Sequence, residues 1–138
     1  MATQSTDLRF STQGDGDAID FTTEVQRLVE EAGVAEGLAS AFVRGSTAAI
    51  TTMEYEPGGV RDLAEMLERL IPTEGEYEHN RLNHDTNSHA HQRASLIGPS
   101  LSVPVIGGRL TLGTWQQIVL LDFDDRPRER TVVVQILS

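Results

Sequence analysis

Two histidines in a short polar segment offer the strongest chemistry in this sequence. The segment Asp85-Thr-Asn-Ser-His-Ala-His91 places His89 and His91 one residue apart. Imidazoles at that spacing share a face only where the backbone is extended, because residues that face each other on a helix lie three or four apart. An extended backbone would let both rings bind a divalent metal, Zn or Mg, with Asp85 as a third ligand or as a carboxylate that orients a ring. The alternative is that one histidine caps a helix and the other is solvated.

Groups suited to an anionic substrate flank this segment. Asn87 or Ser88 could cap a following helix, whose free N–H groups would then face an anion. Arg93 is the arginine that we expect to lie in the site, where its guanidinium could bind a phosphate. His79 lies in the polar stretch 73–87, which is long enough to carry function, and an imidazole suits proton transfer.

Two further stretches supply candidate site residues. Glu54 follows a mostly apolar strand and could be a general base or a metal ligand, or it could be an edge-strand carboxylate that faces water. Trp115 could stack on a planar heterocycle, although we favour a tryptophan packed in the core. Gln116 is the better candidate for contacting substrate, because a buried amide needs hydrogen-bond partners.

The apolar pattern predicts the elements that must position these groups. Strand-like alternation and helical spacing occur in the order β, β, α, β, β, α, polar loop and then three or four further strands. In the run 100–118, Gly107-Gly108 predicts a tight turn between two short strands. The first helix should run to about Ala32, with Val25, Leu28 and Val29 as its apolar face, and end at Gly33. We place a short helix after the polar loop, at 94–97. Because the strands do not alternate with helices, the pattern predicts one α+β domain with mostly antiparallel sheet.

Composition restricts the partners. The net charge is −10, and all 11 cationic residues are arginine. An acidic surface repels nucleic-acid backbones and anionic membranes, so we expect neither as a partner. Such a surface also fits solubility in high salt, as in a halophile. The sequence has no cysteine, no signal peptide and no apolar run of membrane-spanning length, so we expect a soluble cytoplasmic protein.

The run 100–118, together with Asn87-Ser-His-Ala-His91, resembles the YjbQ family, whose members are described as secondary thiamine-phosphate synthases. The resemblance implies an α+β sandwich over residues 1–138, with two main helices and a short one, that assembles as a homotrimer. Thr47, Ala48 and Glu54 match the family pattern. Gly45 stands where the family has a histidine, and Met53 replaces an asparagine.

The resemblance also implies a reaction, in which a pyrimidine diphosphate joins a thiazole phosphate and pyrophosphate leaves. In that reading the ligand is a small phosphorylated metabolite, and a divalent cation neutralises the leaving group. The residues that would act as catalytic groups are Glu54, His89 and Arg93. Those that would bind substrate are Thr47, Asn87, Trp115 and Gln116. Those that would bind the metal are His89, His91 and Asp85. A metal-dependent hydrolase, or a non-catalytic binding protein with a degraded site, remains an alternative because Gly45 supplies no ligand.

Overall fold

The computed structural model describes residues 2–138, which form eight strands and four helices. The strands are β1 (Thr3–Thr12), β2 (Asp17–Asp20), β3 (Glu36–Arg44), β4 (Ala48–Met53), β5 (Ser100–Ile106), β6 (Arg109–Leu110), β7 (Gln117–Asp122) and β8 (Arg128–Leu137). The helices are α1 (Thr22–Ala32), α2 (Pro57–Leu70), α3 (Glu78–Asn83) and α4 (Ser88–Ile97). No helix in this described part of the chain is both long and apolar enough to cross a membrane.

The strands form two antiparallel sheets. A five-stranded sheet has the order β1-β8-β3-β5-β6, and a three-stranded sheet has the order β2-β7-β4. Every strand pair is antiparallel. The predicted α+β class with mostly antiparallel strands is therefore confirmed.

Both faces of the three-stranded sheet are covered. On β7, Ile118 and Leu120 belong to the apolar cluster shared with the five-stranded sheet and α1. Val119 and Leu121 belong to a second cluster, shared with α2 and α4. A strand that is apolar at consecutive positions is expected where both faces are buried. The apolar run of β7 thus fixes a layered order of sheet, sheet and helices.

Two local predictions are confirmed. The strands β5 and β6 pair around Gly107 and Gly108, whose φ values of 60° and 76° belong to the turn type that favours glycine at both positions. Helix α1 ends at Gly33, which adopts the left-handed conformation typical of a helix C-terminus.

The two residues that follow helix α4 attach it to one strand of each sheet, β4 and β3. Ile50 N donates to Gly98 O over 3.1 Å, and Val43 N donates to Pro99 O over 2.9 Å. These bonds set the position of α4 above β4. The histidines at the start of α4 are positioned by this attachment.

Candidate functional site

The segment that carries the paired histidines is helical. Helix α4 begins at Ser88, six residues earlier than predicted, so the expectation of an extended His89-Ala-His91 is wrong. At about 100° per residue, two positions that are two apart point in nearly opposite directions. His89 is accordingly buried, with 2% of its surface exposed, whereas His91 is partly exposed.

This geometry does not bring the predicted metal ligands together. His89 faces the interior, away from Asp85 and His91. Among residues 2–138, no three His, Cys, Asp or Glu side chains are arranged so that they could hold a metal ion. The side chains described for this chain therefore do not by themselves form a metal centre. Metal binding by this protein stays a prediction, and we derive no chemical step through an ion.

A different set of polar groups meets where α3 approaches α4. The rings of His79 and His91 lie 4.6 Å apart between centroids and are tilted by 55°. His79 Nε2 lies 3.1 Å from Asn87 Oδ1 and 3.9 Å from Asp85 Oδ2. We call His79, Asp85, Asn87 and His91 the imidazole cluster. It contains three of the predicted site residues, and His79 takes the place that we expected for His89.

The hydrogen bonds of the cluster give its two rings different roles. A carbonyl oxygen only accepts, so His79 Nε2 donates its hydrogen to Asn87 Oδ1. The other nitrogen of His79 lies 3.5 Å from the side-chain amide of Asn83. Within the described residues, the ring of His91 forms no hydrogen bond to protein. His79 is thus held in place, and His91 is the ring free to contact a ligand.

Thr47 belongs to a buried network of charged groups rather than to the imidazole cluster. Its hydroxyl donates to Asp124 Oδ2 over 3.0 Å and accepts from Arg130 Nη2 over 2.6 Å. Arg130 also binds both carboxylate oxygens of Asp122, at 2.7 and 2.8 Å. Arg128 binds Asp124 at 2.9 Å. Burial alone would raise the pKa of Asp124, but hydrogen bonds from Thr47, Asp125 and Arg128 lower it to about 2.

Gly45, where the resemblance leads one to expect histidine, lies directly against this network. Its φ is 131°, a conformation that strains any other residue. A Cβ atom built there would come within 2.5 Å of Arg130 Nη1. A histidine at this position would therefore require the guanidinium of Arg130 to move. Met53, the other departure, packs against the apolar cluster between the three-stranded sheet and the helices.

Three other candidate residues lie near the end of β4 that is farther from Gly45 and Thr47. They are Glu54, Trp115 and Gln116. Glu54 lies seven residues after Thr47, a distance of about 23 Å if the backbone is extended, and the Glu54 side chain is exposed. Gln116 donates to Thr52 Oγ1 over 3.1 Å and accepts from Gly113 N over 3.0 Å. The side chain of Trp115 is 73% exposed, so the expectation of a core tryptophan is wrong. Glu54 does not join the imidazole cluster within a protomer, and the roles proposed for these residues stay predictions.

Arg93, on α4, links that helix to the end of α2. Its Nε and Nη2 donate to Ile71 O over 3.2 and 2.7 Å, and Nη2 also binds Glu68 Oε2 at 2.7 Å. Hydrogen bonds from Thr73 and Arg93 lower the pKa of Glu68 to about 2. Arg93 therefore attaches α4 to the end of α2. A contact between Arg93 and substrate stays a prediction.

Sequence reasoning missed Arg130. It lies on the same face of β8 as the buried residues Val132, Val134 and Ile136, at alternate positions. An arginine that falls on the alternating positions occupied by inward-facing apolar residues predicts a buried charge, and a buried charge needs partners. That pattern was present in the sequence and could have identified Arg130.

His89 leads to a prediction about pH. Burial, followed by the charge of Arg93, lowers its pKa below 6.5, and its Nδ1 is buried without a hydrogen-bond partner. As the pH falls below about 6.5, the unfolded chain binds a proton that the folded protein resists, so stability falls. We expect His89→Leu to reduce this loss between pH 7.5 and 5.5, by at most about 1.4 kcal/mol per pH unit. Urea unfolding at both pH values measures it.

The control for His89 is His84→Asn, because His84 is exposed and asparagine tolerates its positive φ of 52°. This variant should keep the pH dependence of the original protein. Equal slopes for His89→Leu and the original protein would contradict the assignment of the effect to His89.

Comparison with known proteins identifies the family. The model of the UPF0047 protein YjbQ-like family matches residues 6–138. This chain belongs to the YjbQ-like UPF0047 family. A UPF0047 protein of Archaeoglobus fulgidus is 43% identical over 119 residues, which cover 86% of this chain and 90% of that protein. A second relative, the UPF0047 protein YugU of Bacillus subtilis, is 34% identical and covers 95% of this chain and 97% of its own length.

Solved structures show the same fold. A YbjQ-like protein of unknown function from Sulfolobus solfataricus superimposes with a TM-score of 0.94 at 34% identity, covering 99% of this chain and 98% of that one. A hypothetical protein from Aeropyrum pernix gives a TM-score of 0.90 at 35% identity, with 98% of each chain covered. The YjbQ-like membership and fold expected from 100–118 and from the Asn87–His91 segment are therefore confirmed.

Proposed function

We propose that this YjbQ-like protein acts on a small phosphorylated metabolite beside the imidazole cluster. The reaction to test first is the joining of a pyrimidine diphosphate to a thiazole phosphate, as in a secondary thiamine-phosphate synthase. The observation that carries the proposal is the pairing of His79 and His91 at 4.6 Å, which leaves His91 free to contact a ligand. Paired imidazoles of which one is held and one is free are suited to proton transfer.

A groove next to α4 gives such a ligand a place to bind. The groove has a volume of about 420 Å³ and is lined in part by Gly45, Ser46, Ala94 and Ser95. His91 precedes Ala94 and Ser95 by three and four residues, so it lies on the same face of α4, one turn nearer the helix start. A ligand in the groove would reach the imidazole of His91 by extending one turn along α4 toward the helix start.

In the proposed reaction the chain must stabilise a leaving group. The thiazole nitrogen forms a bond to the methylene carbon of the pyrimidine, and the bond from that carbon to the pyrophosphate oxygen breaks. Negative charge develops on the leaving oxygen. His91 can donate a hydrogen to that oxygen, while the ring of His79, which Asn87 holds, packs against the ring of His91.

A second candidate function is ligand binding without catalysis. It is favoured by Gly45, which removes the imidazole expected from the family resemblance and leaves Arg130 in its place.

The homotrimer and the preference for high salt, which we expect from the resemblance and from the net charge of −10, are kept as parts of the proposal. Sedimentation equilibrium should give three times the mass of the chain.

The products distinguish the candidate functions. Purified protein is incubated with both substrates, at low and at molar KCl, with Mg²⁺, with Zn²⁺ and with a chelator. Thiamine phosphate and pyrophosphate in equal amounts support the synthase. Orthophosphate released from one substrate alone shows a hydrolase instead. If calorimetry detects binding of a substrate but no product forms, the result supports the non-catalytic binding function. If neither binding nor product is detected, the whole proposal is overturned.

A further inference from the structure

We propose that the Nη1 edge of Arg130, left uncovered by Gly45, is an oxyanion subsite that binds a phosphoryl group at the Gly45–Ser46 groove. Only the class of ligand, a phosphorylated molecule, rests on the proposed function. The subsite should bind a phosphoryl group whether or not the protein catalyses a reaction.

The guanidinium of Arg130 is fixed on one side and free on the other. Its Nε and Nη2 are bound to Asp122 and Thr47 at 2.6–2.8 Å. Within residues 2–138, Nη1 donates no hydrogen bond, although the side chain is only 8% exposed. His89 Nδ1 is the one side-chain nitrogen in that range that is both sealed from solvent and unpaired, so Nη1 retains contact with solvent.

Gly45 is the residue that keeps this edge open. A Cβ at position 45 would lie 2.5 Å from Nη1, which is too close for any side chain to be accommodated without a shift. Gly45 and Ser46 both line a groove of about 420 Å³ beside α4. Position 45 therefore touches both the Nη1 donor and a space large enough for a small molecule.

The charges of the network do not oppose an oxyanion at this edge. Asp122 and Asp124 are balanced by Arg130 and by the partly exposed Arg128, so the four groups together carry no net charge in an otherwise acidic protein. The two N–H groups of Nη1 can donate to phosphate oxygens, as guanidinium groups commonly do. Because Asp122 and Thr47 already hold the guanidinium, binding does not require it to be ordered first.

Titration with inorganic phosphate and with pyrophosphate tests the subsite. Two-dimensional ¹H–¹⁵N NMR follows the Gly45 and Ser46 amides and the Arg130 guanidinium, and all three should shift with a common Kd. We expect Gly45→Ala to weaken phosphate binding about tenfold, the effect of one lost charge-assisted hydrogen bond. Gly33→Ala is the control, since Gly33 also has a positive φ but nothing lies within 4 Å of its Cβ position. It should bind phosphate as the original protein does.

A second variant tests the subsite in case Gly45→Ala does not fold. Ser95 is exposed and lines the same groove, so Ser95→Phe should fill the groove without straining the backbone, and it should also weaken binding. Unchanged affinity in either folded variant, or no shift of these three signals with phosphate, would overturn the subsite. Phosphate binding without turnover would support the subsite and count against the proposed reaction.

Discussion

Replacing Arg130 with methionine is expected to lower the free energy of unfolding by about 3–5 kcal/mol. The substitution leaves Asp122, which has no exposed surface, as a buried carboxylate without its bidentate partner. Thr12 would still donate to Asp122 over 2.5 Å, but one hydroxyl does not replace a positive charge. For a chain of this length the melting temperature should fall by roughly 10–15 °C.

The matched control is Arg126→Met. Arg126 also lies near Asp124 and Asp125, at 3.9 and 3.4 Å, but its side chain is 53% exposed. Exposed ion pairs contribute about 0–1 kcal/mol. Urea unfolding of both variants at one protein concentration, in the same salt, gives the comparison. Equal losses for Arg126→Met and Arg130→Met would show that burial does not determine the effect.

Replacing His91 with glutamine is expected to lower kcat/KM in the proposed reaction by about 100-fold or more, the usual contribution of one acid–base group. Glutamine keeps a polar side chain of similar reach but cannot exchange a proton near neutral pH. The fold should be retained, because the His91 side chain is partly exposed and forms no hydrogen bond to another described residue. Initial rates of product formation at one fixed pH measure the effect.

His84→Asn serves as the control for His91, because it removes a neighbouring exposed imidazole that lies outside the cluster. It should leave kcat/KM unchanged. His79→Gln should give an intermediate loss, since it removes the ring on which His91 rests. Full activity in His91→Gln would exclude His91 from the chemistry and would overturn the catalytic role proposed for the imidazole cluster.

Much of the architecture could be predicted because its signals are local. Gly107-Gly108 produced a tight turn since few other residues adopt positive φ at both positions. Gly33 ended α1 for the same physical reason. The apolar residues of α1 that were expected to be buried are buried. Such preferences depend on neighbours in the chain, which the sequence shows directly.

The candidate site was predicted less well because its geometry depends on distant contacts. The short segment from His89 to His91 is compatible with strand or helix, and packing of α4 against β4 and Arg93 decided for helix. The exposure of Trp115 could not be derived from its type, because tryptophan is common both in cores and at surfaces that bind.

The sequence by itself determined the family, through the resemblance of 100–118 and Asn87–His91 to its motifs. It also determined the antiparallel α+β class, the net negative charge and the turn glycines, which follow from periodicity, composition and the backbone freedom of single residues. Only the tertiary structure decided which side chains meet. It paired His91 with His79 rather than with His89, and it brought Arg130 to Gly45 across 85 positions of the chain. The reason is that buried polar groups must find partners wherever the packed layers provide them, and those partners are rarely neighbours in sequence.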